Sequence, residues 1–170
     1  MKKTYFLALA LVLWVSCSPR GEGQGELPAK ISKLPVGIEV KHSAKRVYAV
    51  PNKDLKRGGK FKWKYQTSVK ALNEDLKIIE FGGFILEGNQ WVEKNLGQRP
   101  FNNNEFQEWY KCPDGLLKKD VYFTDANNWG TSNELTGSRT SNLWYYIGAN
   151  AEGQKFVGYG EIVTIGRLKE

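Results

Sequence analysis

The residues able to do chemistry in this chain are few. There is one histidine, His42, and there are two cysteines, Cys17 and Cys112, far apart in sequence. Zinc needs clustered Cys and His ligands, so this set cannot supply a metal site. A Ser-His-Asp arrangement would rest wholly on His42, and no Gly-x-Ser-x-Gly accompanies it. Cys112 has no base nearby in sequence and reads as a small buried hydrophobe. No phosphate-binding glycine loop occurs, and no cofactor is called for. Asp125, Asn127 and Gly130 follow the start of a calcium-loop spacing, but Trp129 stands where an oxygen ligand is required and Thr136 where the bidentate acid is, which leaves only a different kind of calcium site on Asp125 and Glu134. A glycosidase would need two carboxylates across a cleft. Glu80, Asp120, Asp125 and Glu161 are available, and nothing in their spacing pairs them. What remains is binding. Asp125, Asn127, Asn128 and Trp129 combine an aromatic face with amide and carboxylate hydrogen-bonders, the kit that sugar recognition uses. They open a polar stretch, 125–141, that reads as one long loop, and loops of that length in compact domains are often functional. In the plainer alternative, Trp129 folds back onto the body and the asparagines satisfy turn backbone.

The elements that must carry these residues are strands. Over 60–71, Phe61, Trp63, Tyr65, Thr67, Val69 and Ala71 share one parity, and Lys62, Lys64, Gln66, Ser68 and Lys70 share the other. That alternation predicts a strand with one face on a core and one in water. Further strands are expected over 36–40, 47–50, 76–86, 121–124, 143–148 and 155–165. The Gly88-Asn89 and Asn150-Ala151-Glu152-Gly153 turns make hairpins, and Gly82-Gly83 marks a bulge or a close backbone approach. One short helix is expected around 103–110: Asn102 as N-cap and Glu105 at N3 form a capping box, with Phe101 and Phe106 at the staple positions. Many short strands between turn signals predict an all-β domain, an antiparallel β-sandwich, immunoglobulin-like or similar.

Composition agrees with a single folded domain: 170 residues, 41% hydrophobic and 13% aromatic. The formal charge is +7, or +5 without Lys2 and Lys3. Its lysines lie on strand faces and loops rather than on one reading element, so a nucleic-acid partner is not expected. A basic face could instead lie against anionic head groups or acidic glycans.

The first residues are an address. Met1-Lys2-Lys3 is followed by an uninterrupted apolar run over 5–15, then Ser16 and Cys17. This pattern predicts a signal peptide over 1–16, too short to span a bilayer. Leu13-Trp14-Val15-Ser16-Cys17 resembles the lipobox of bacterial lipoproteins, in the looser form common in Bacteroidetes-type bacteria; Trp14 departs from the usual Leu. The resemblance implies that Cys17 is acylated with chains such as palmitate and becomes the new N-terminus. It also implies sorting, through Ser18, to an outer membrane. Acyl chains contribute about 0.8 kcal/mol per buried CH₂, so two or three of them anchor a protein stably. The glycine- and proline-rich stretch 17–33 then reads as a flexible lipidated tether, with the β-sandwich domain over 34–170.

These readings together give a lipid-anchored cell-envelope protein, not an enzyme, whose domain is a binding module. Its first expected partner is a protein in an envelope complex. A glycan bound through the Asn127–Trp129 stretch is the alternative, and a hydrolase using acidic residues is the third.

Overall fold

The computed structural model describes residues 25–54 and 58–169. The expected signal peptide, Cys17 and the first part of the expected tether lie outside the described residues.

The alternating stretch folds as predicted. Strand β3 (Phe61–Ala71) buries Trp63, Tyr65, Thr67, Val69 and Ala71 and turns Lys64 and Gln66 to solvent. One edge of β3 carries β2 (Arg46–Pro51) at its start and β1 (Ile38–His42) at its end, and the other edge carries β8 (Phe123–Ser132). The remaining strands are β4 (Leu76–Glu87), β5 (Gln90–Glu93), the short β6 (Phe101–Asn102) and β7 (Leu116–Leu117), β9 (Arg139–Ala149) and β10 (Lys155–Leu168). The hairpin glycines behave as expected, with φ of 61° at Gly88 and 80° at Gly153.

The fold is all-β, but it is not two separate antiparallel sheets. The strands form one ten-stranded sheet in the order β1-β3-β2-β10-β9-β4-β5, with β8 on β3 and β6 and β7 on β4. It is mixed, because β2 runs parallel to β10. It also doubles over into a half-barrel. β2 is the corner: Arg46 to Ala49 pair with β10, and Val50 and Pro51 pair with β3. A strand that changes partners along its length turns a sheet through a corner. Alternation alone could not reveal this, since a parallel and an antiparallel neighbour look the same from one strand.

Two glycines let the halves close. β1 crosses β10 so tightly that a Cβ on Gly158 would lie 2.3 Å from the Ile38 carbonyl oxygen, and one on Gly160 would lie 2.9 Å from Val40 Cγ1. Both faces of β9 are consequently buried, which explains the unbroken apolar run Leu143-Trp144-Tyr145-Tyr146-Ile147. Inside the curl, Phe81 stacks on Tyr146 at 5.7 Å and meets Phe101, Phe106 and Trp109 at 5.1, 5.6 and 5.4 Å. The aromatics come from helix α2 (Asn103–Tyr110) and its approach, and the Asn102–Glu105 capping box forms as expected. The helix thus plugs one open end of the curl.

On the outer face of the sheet, Ile31, Phe84, Leu143, Tyr145, Ile147 and Val157 form a second core. Here the expected tether needs correction over its last residues. A short helix α1 (Ala29–Ser32) straps across this face and buries Ile31 completely. Lys30 Nζ bridges Glu80 at 2.8 Å and Glu93 at 3.4 Å and donates to Tyr145 OH at 2.7 Å. Leu27, Ile31 and Leu34 supply apolar area that the glycine-rich composition around them masks. The strap belongs to the folded body, so the packed domain starts before residue 34.

Phe81 lies under both the helix plug and the central strands. Phe81→Ala should destabilise by about 3–5 kcal/mol, read as a fall in Tm of about 10 °C by circular dichroism.

Candidate functional site

The stretch 125–141 is not one long loop. Its first part is strand β8, and the turn between β8 and β9 covers only 133–138. Pairing with β3 overrides a composition rich in Asn, Asp and Gly, and side-chain hydrogen bonds make this tolerable. The ladder skips between Tyr65 and Thr67, leaving a bulge in β8 at Ala126 and Asn127. Asp125 Oδ1 accepts the Asn127 backbone N–H at 2.8 Å, and Asn128 Nδ2 donates to Thr67 Oγ1 at 2.9 Å.

The bulge splits the four residues singled out from the sequence. Asp125 and Asn128 point inward and are buried, while Asn127 and Trp129 are exposed. Trp129 lies opposite Lys64, on the lysine face of β3, with Lys62 Nζ 4.9 Å above its ring. They do not converge on one ligand. Further along that outer face, Tyr122 donates to Glu39 and lies under Lys41 and Lys70. Lys41 first, then Tyr122, hold the Glu39 carboxyl down at about 2.

Inward, Asp125 and Asn128 join a buried polar cluster. Thr67 Oγ1 lies 3.0 Å from His42 Nδ1, and the His42 ring meets Tyr65 edge-on at 5.6 Å. His42 ends β1 rather than sitting in a turn, and burial holds its pKa below the usual histidine range. Tyr110 OH and Tyr146 OH are 2.5 Å apart in the core. Burial pushes Tyr65 up to about 12, and the nearby Asp125 charge adds to the rise. Burial likewise raises Asp125 above the ordinary carboxylate value, against the lowering effect of its hydrogen bond from Asn127. This cluster reads as an interior hydrogen-bond network that fixes the register of β8.

The concave face beside it is open. A groove of about 460 Å³ runs between the two halves of the curl, within the ~300–1,000 Å³ typical of ligand sites. Trp63, Tyr65 and Trp144 form its aromatic floor, and Thr131, Ser138, Thr140, Asn142 and Thr164 line its walls. The floor is rigid: Trp63 Nε1 donates to the Ile165 carbonyl and Trp144 Nε1 to Tyr65 OH, both at 2.7 Å. Two glycines keep it empty. Gly130 pairs with Trp63 and Gly83 with Trp144. A Cβ on Gly130 would meet nothing within 4 Å, and one on Gly83 would meet only backbone oxygens 3.9 and 4.0 Å away. Gly82 does the opposite work, admitting the Asn95 side chain to 2.7 Å, and the irregularity in β4 falls upstream between Ile78 and Glu80. The groove residues escaped notice in the sequence because they come from five strands. A glycine at an inward position beside an aromatic was the available signal.

The candidate acids are not brought together. Glu80 is held by Lys30, Asp120 lies 3.8 Å from Lys70, Asp125 is in the interior cluster, and Glu161 Oε1 is buried without a partner. Cys112 is free and buried, and burial pushes its thiol up to about 11. Among the described residues, no group of three His, Cys, Asp or Glu could hold a metal, and no helix is long and apolar enough to cross a membrane. No protein-family model, no curated protein and no solved structure matches this chain.

Asp125 supplies a pH test. A raised native pKa means the folded state binds more protons than the unfolded chain, so the charge weakens the fold as pH rises through that pKa. Asp125→Asn keeps the Oδ1 acceptor and removes the charge. Its Tm should exceed that of the parent at pH 7, and the gap should close as pH falls toward 4.

Proposed function

We propose that this chain is a lipid-anchored cell-envelope protein whose β-body binds a glycan, without covalent chemistry, in the concave groove. The observation that carries this reading is the glycine-cleared floor of Trp63, Tyr65 and Trp144 beneath walls of hydroxyls and an amide. An aromatic floor offers a flat apolar face to a sugar ring, and Ser, Thr and Asn can each donate and accept to its hydroxyls. The polar groups fix orientation and the apolar floor supplies contact area. Among the described residues lining the groove, Glu134 is the sole carboxylate, which suits binding rather than the two-acid chemistry of glycoside hydrolysis.

A partner-protein reading has support of its own on the other side of β3 and β8. Trp129 is 37% exposed and Tyr122 41%, two aromatic rings set among lysines on that face. Aromatic residues ringed by polar ones are typical of protein interfaces. Tyr122 on this face lies away from the groove, whereas Trp129 also borders it, so variants at Tyr122 separate the two readings.

Gly130→Phe fills the groove from a position with room for a side chain. Titration with chitohexaose, cellohexaose and maltohexaose, followed by tryptophan fluorescence, should give a saturable change with at least one sugar. Gly130→Phe should abolish that change with little loss of Tm, and Tyr122→Ala should leave it intact. Loss of binding in Tyr122→Ala, with binding kept in Gly130→Phe, would move the site to the outer face. No saturable change with any oligosaccharide would sink the groove reading.

The anchor is tested separately. Cys17→Ser should shift the protein from the membrane fraction to the soluble fraction or leave its precursor uncleaved. Unchanged membrane fractionation would remove lipidation from the proposal.

A further inference from the structure

On the face of the sheet opposite the groove, three arginines meet. Arg46 on β2, Arg139 on β9 and Arg167 on β10 line a pocket of about 230 Å³ with Tyr48, Ile165 and Gly137. The register explains the convergence. Tyr48, Ile165 and Arg139 lie side by side on three neighbouring strands. Arg46 is two residues before Tyr48 and Arg167 two after Ile165, so their side chains share one face. Adjacent strands lie about 4.8 Å apart, so long side chains from β2 and β9 can reach over β10 to a common point.

Two features mark this as more than a run of surface charge. The pairing of β10 with β2 is irregular between Ile165 and Leu168, so Arg167 sits in a bulge, a device that re-aims side chains next to binding sites. The re-aimed guanidinium lies over the Tyr48 ring, 5.4 Å from its centroid, which fixes the plane of its donors. The 133–138 turn then closes the rim. Gly137 N donates to Gly166 O and Gly166 N donates to Ser138 O, each at 2.8 Å, and Gly137 takes a φ of 71° there. Arg46 and Arg167 also make further interactions within the chain.

Guanidinium groups are planar forks that grip oxyanions through paired N–H donors, and charge-assisted bonds of this kind are the strong ones. One carboxylate occupies one fork. A tetrahedral dianion presents oxygens in several directions, which suits donors arriving from three strands around a small hollow. We infer that this pocket binds a phosphate-type dianion, as orthophosphate or as a phosphomonoester group. The phosphate could be carried by a soluble molecule or by a lipid head group, and both sources present the same chemistry. The site lies on the other face of the sheet from the groove and does not depend on the glycan reading.

The test is a titration of the full chain with sodium phosphate at constant ionic strength, followed by the arginine Nε–Hε resonances in NMR. Sodium chloride is the control. Phosphate should give saturable shifts, weakened at least about tenfold by Arg139→Gln and by Arg46→Gln. Arg139→Lys keeps the charge but loses the fork, and it should weaken binding as well. Both substituted positions carry exposed side chains, and an unchanged Tm for each variant verifies that the fold is intact. Equal shifts in chloride, or phosphate shifts that survive the glutamine variants, would overturn the site. The source is read from co-sedimentation of the Cys17→Ser chain with phosphatidylcholine vesicles, with and without phosphatidic acid. Retention that needs phosphatidic acid and Arg139 assigns the phosphate to a bilayer. Phosphate binding in solution without such retention assigns it to a soluble ligand.

Discussion

Two indole N–H groups hold the doubled-over sheet in register. Trp63 reaches from β3 to a carbonyl on β10, and Trp144 reaches from β9 to a hydroxyl on β3. Each bond joins the two halves of the curl across the space between them. Along the sheet itself those halves are joined through β2, which meets β3 at Val50 and Pro51, and by a bridge from Val36, just before β1, to Val157 on β10. The aromatic side chains therefore do more than fill volume. Their buried N–H groups would cost roughly 1–3 kcal/mol each if left unpaired, so the curl is tolerated only at the spacing that satisfies both. That spacing sets the width of the groove.

The glycines divide into two kinds with opposite purposes. Gly158, Gly160 and Gly82 permit contact: each is where another part of the chain comes too close for a side chain. Gly130 and Gly83 prevent contact: each stands inward in a strand where the space beyond is open. A strand glycine weakens its strand by roughly 0.5–1 kcal/mol relative to alanine. For the first kind, packing offsets that cost within the fold. For the second no close contact in the fold does, and it is on this cost that the proposed groove site rests. Both kinds look alike in a sequence, because what distinguishes them is the neighbour across the sheet.

Local features were legible for the same reason that remote ones were not. The strand at Phe61–Ala71, the hairpin turns at Gly88 and Gly153, and the capping box at Asn102 and Glu105 are set by residues close together in the chain, and each formed where its pattern lay. The stretch from Asp125 looked like a loop because its residues favour turns; β3 supplies the ladder that overrides them, and Thr67 supplies the hydrogen bond that Asn128 needs. The same reading that found Trp129 grouped it with Asn128, since adjacent residues in a loop can face one way. On a strand they cannot. The parallel pairing of β2 with β10 joins residues more than a hundred positions apart, and no periodicity within either segment encodes it. The sandwich expectation therefore captured the strands and missed how they connect.

The strap at Ala29–Ser32 determines how the body carries load. Ile31 is sunk in the outer core, and Lys30 is tied to Glu80, Glu93 and Tyr145 on three different strands. A pull arriving from upstream of Gly25 is thus met first by a buried side chain and a shared ammonium, and is spread over β4, β5 and β9 together. No single strand is peeled from its edge. The strap thus grips the sheet across its width.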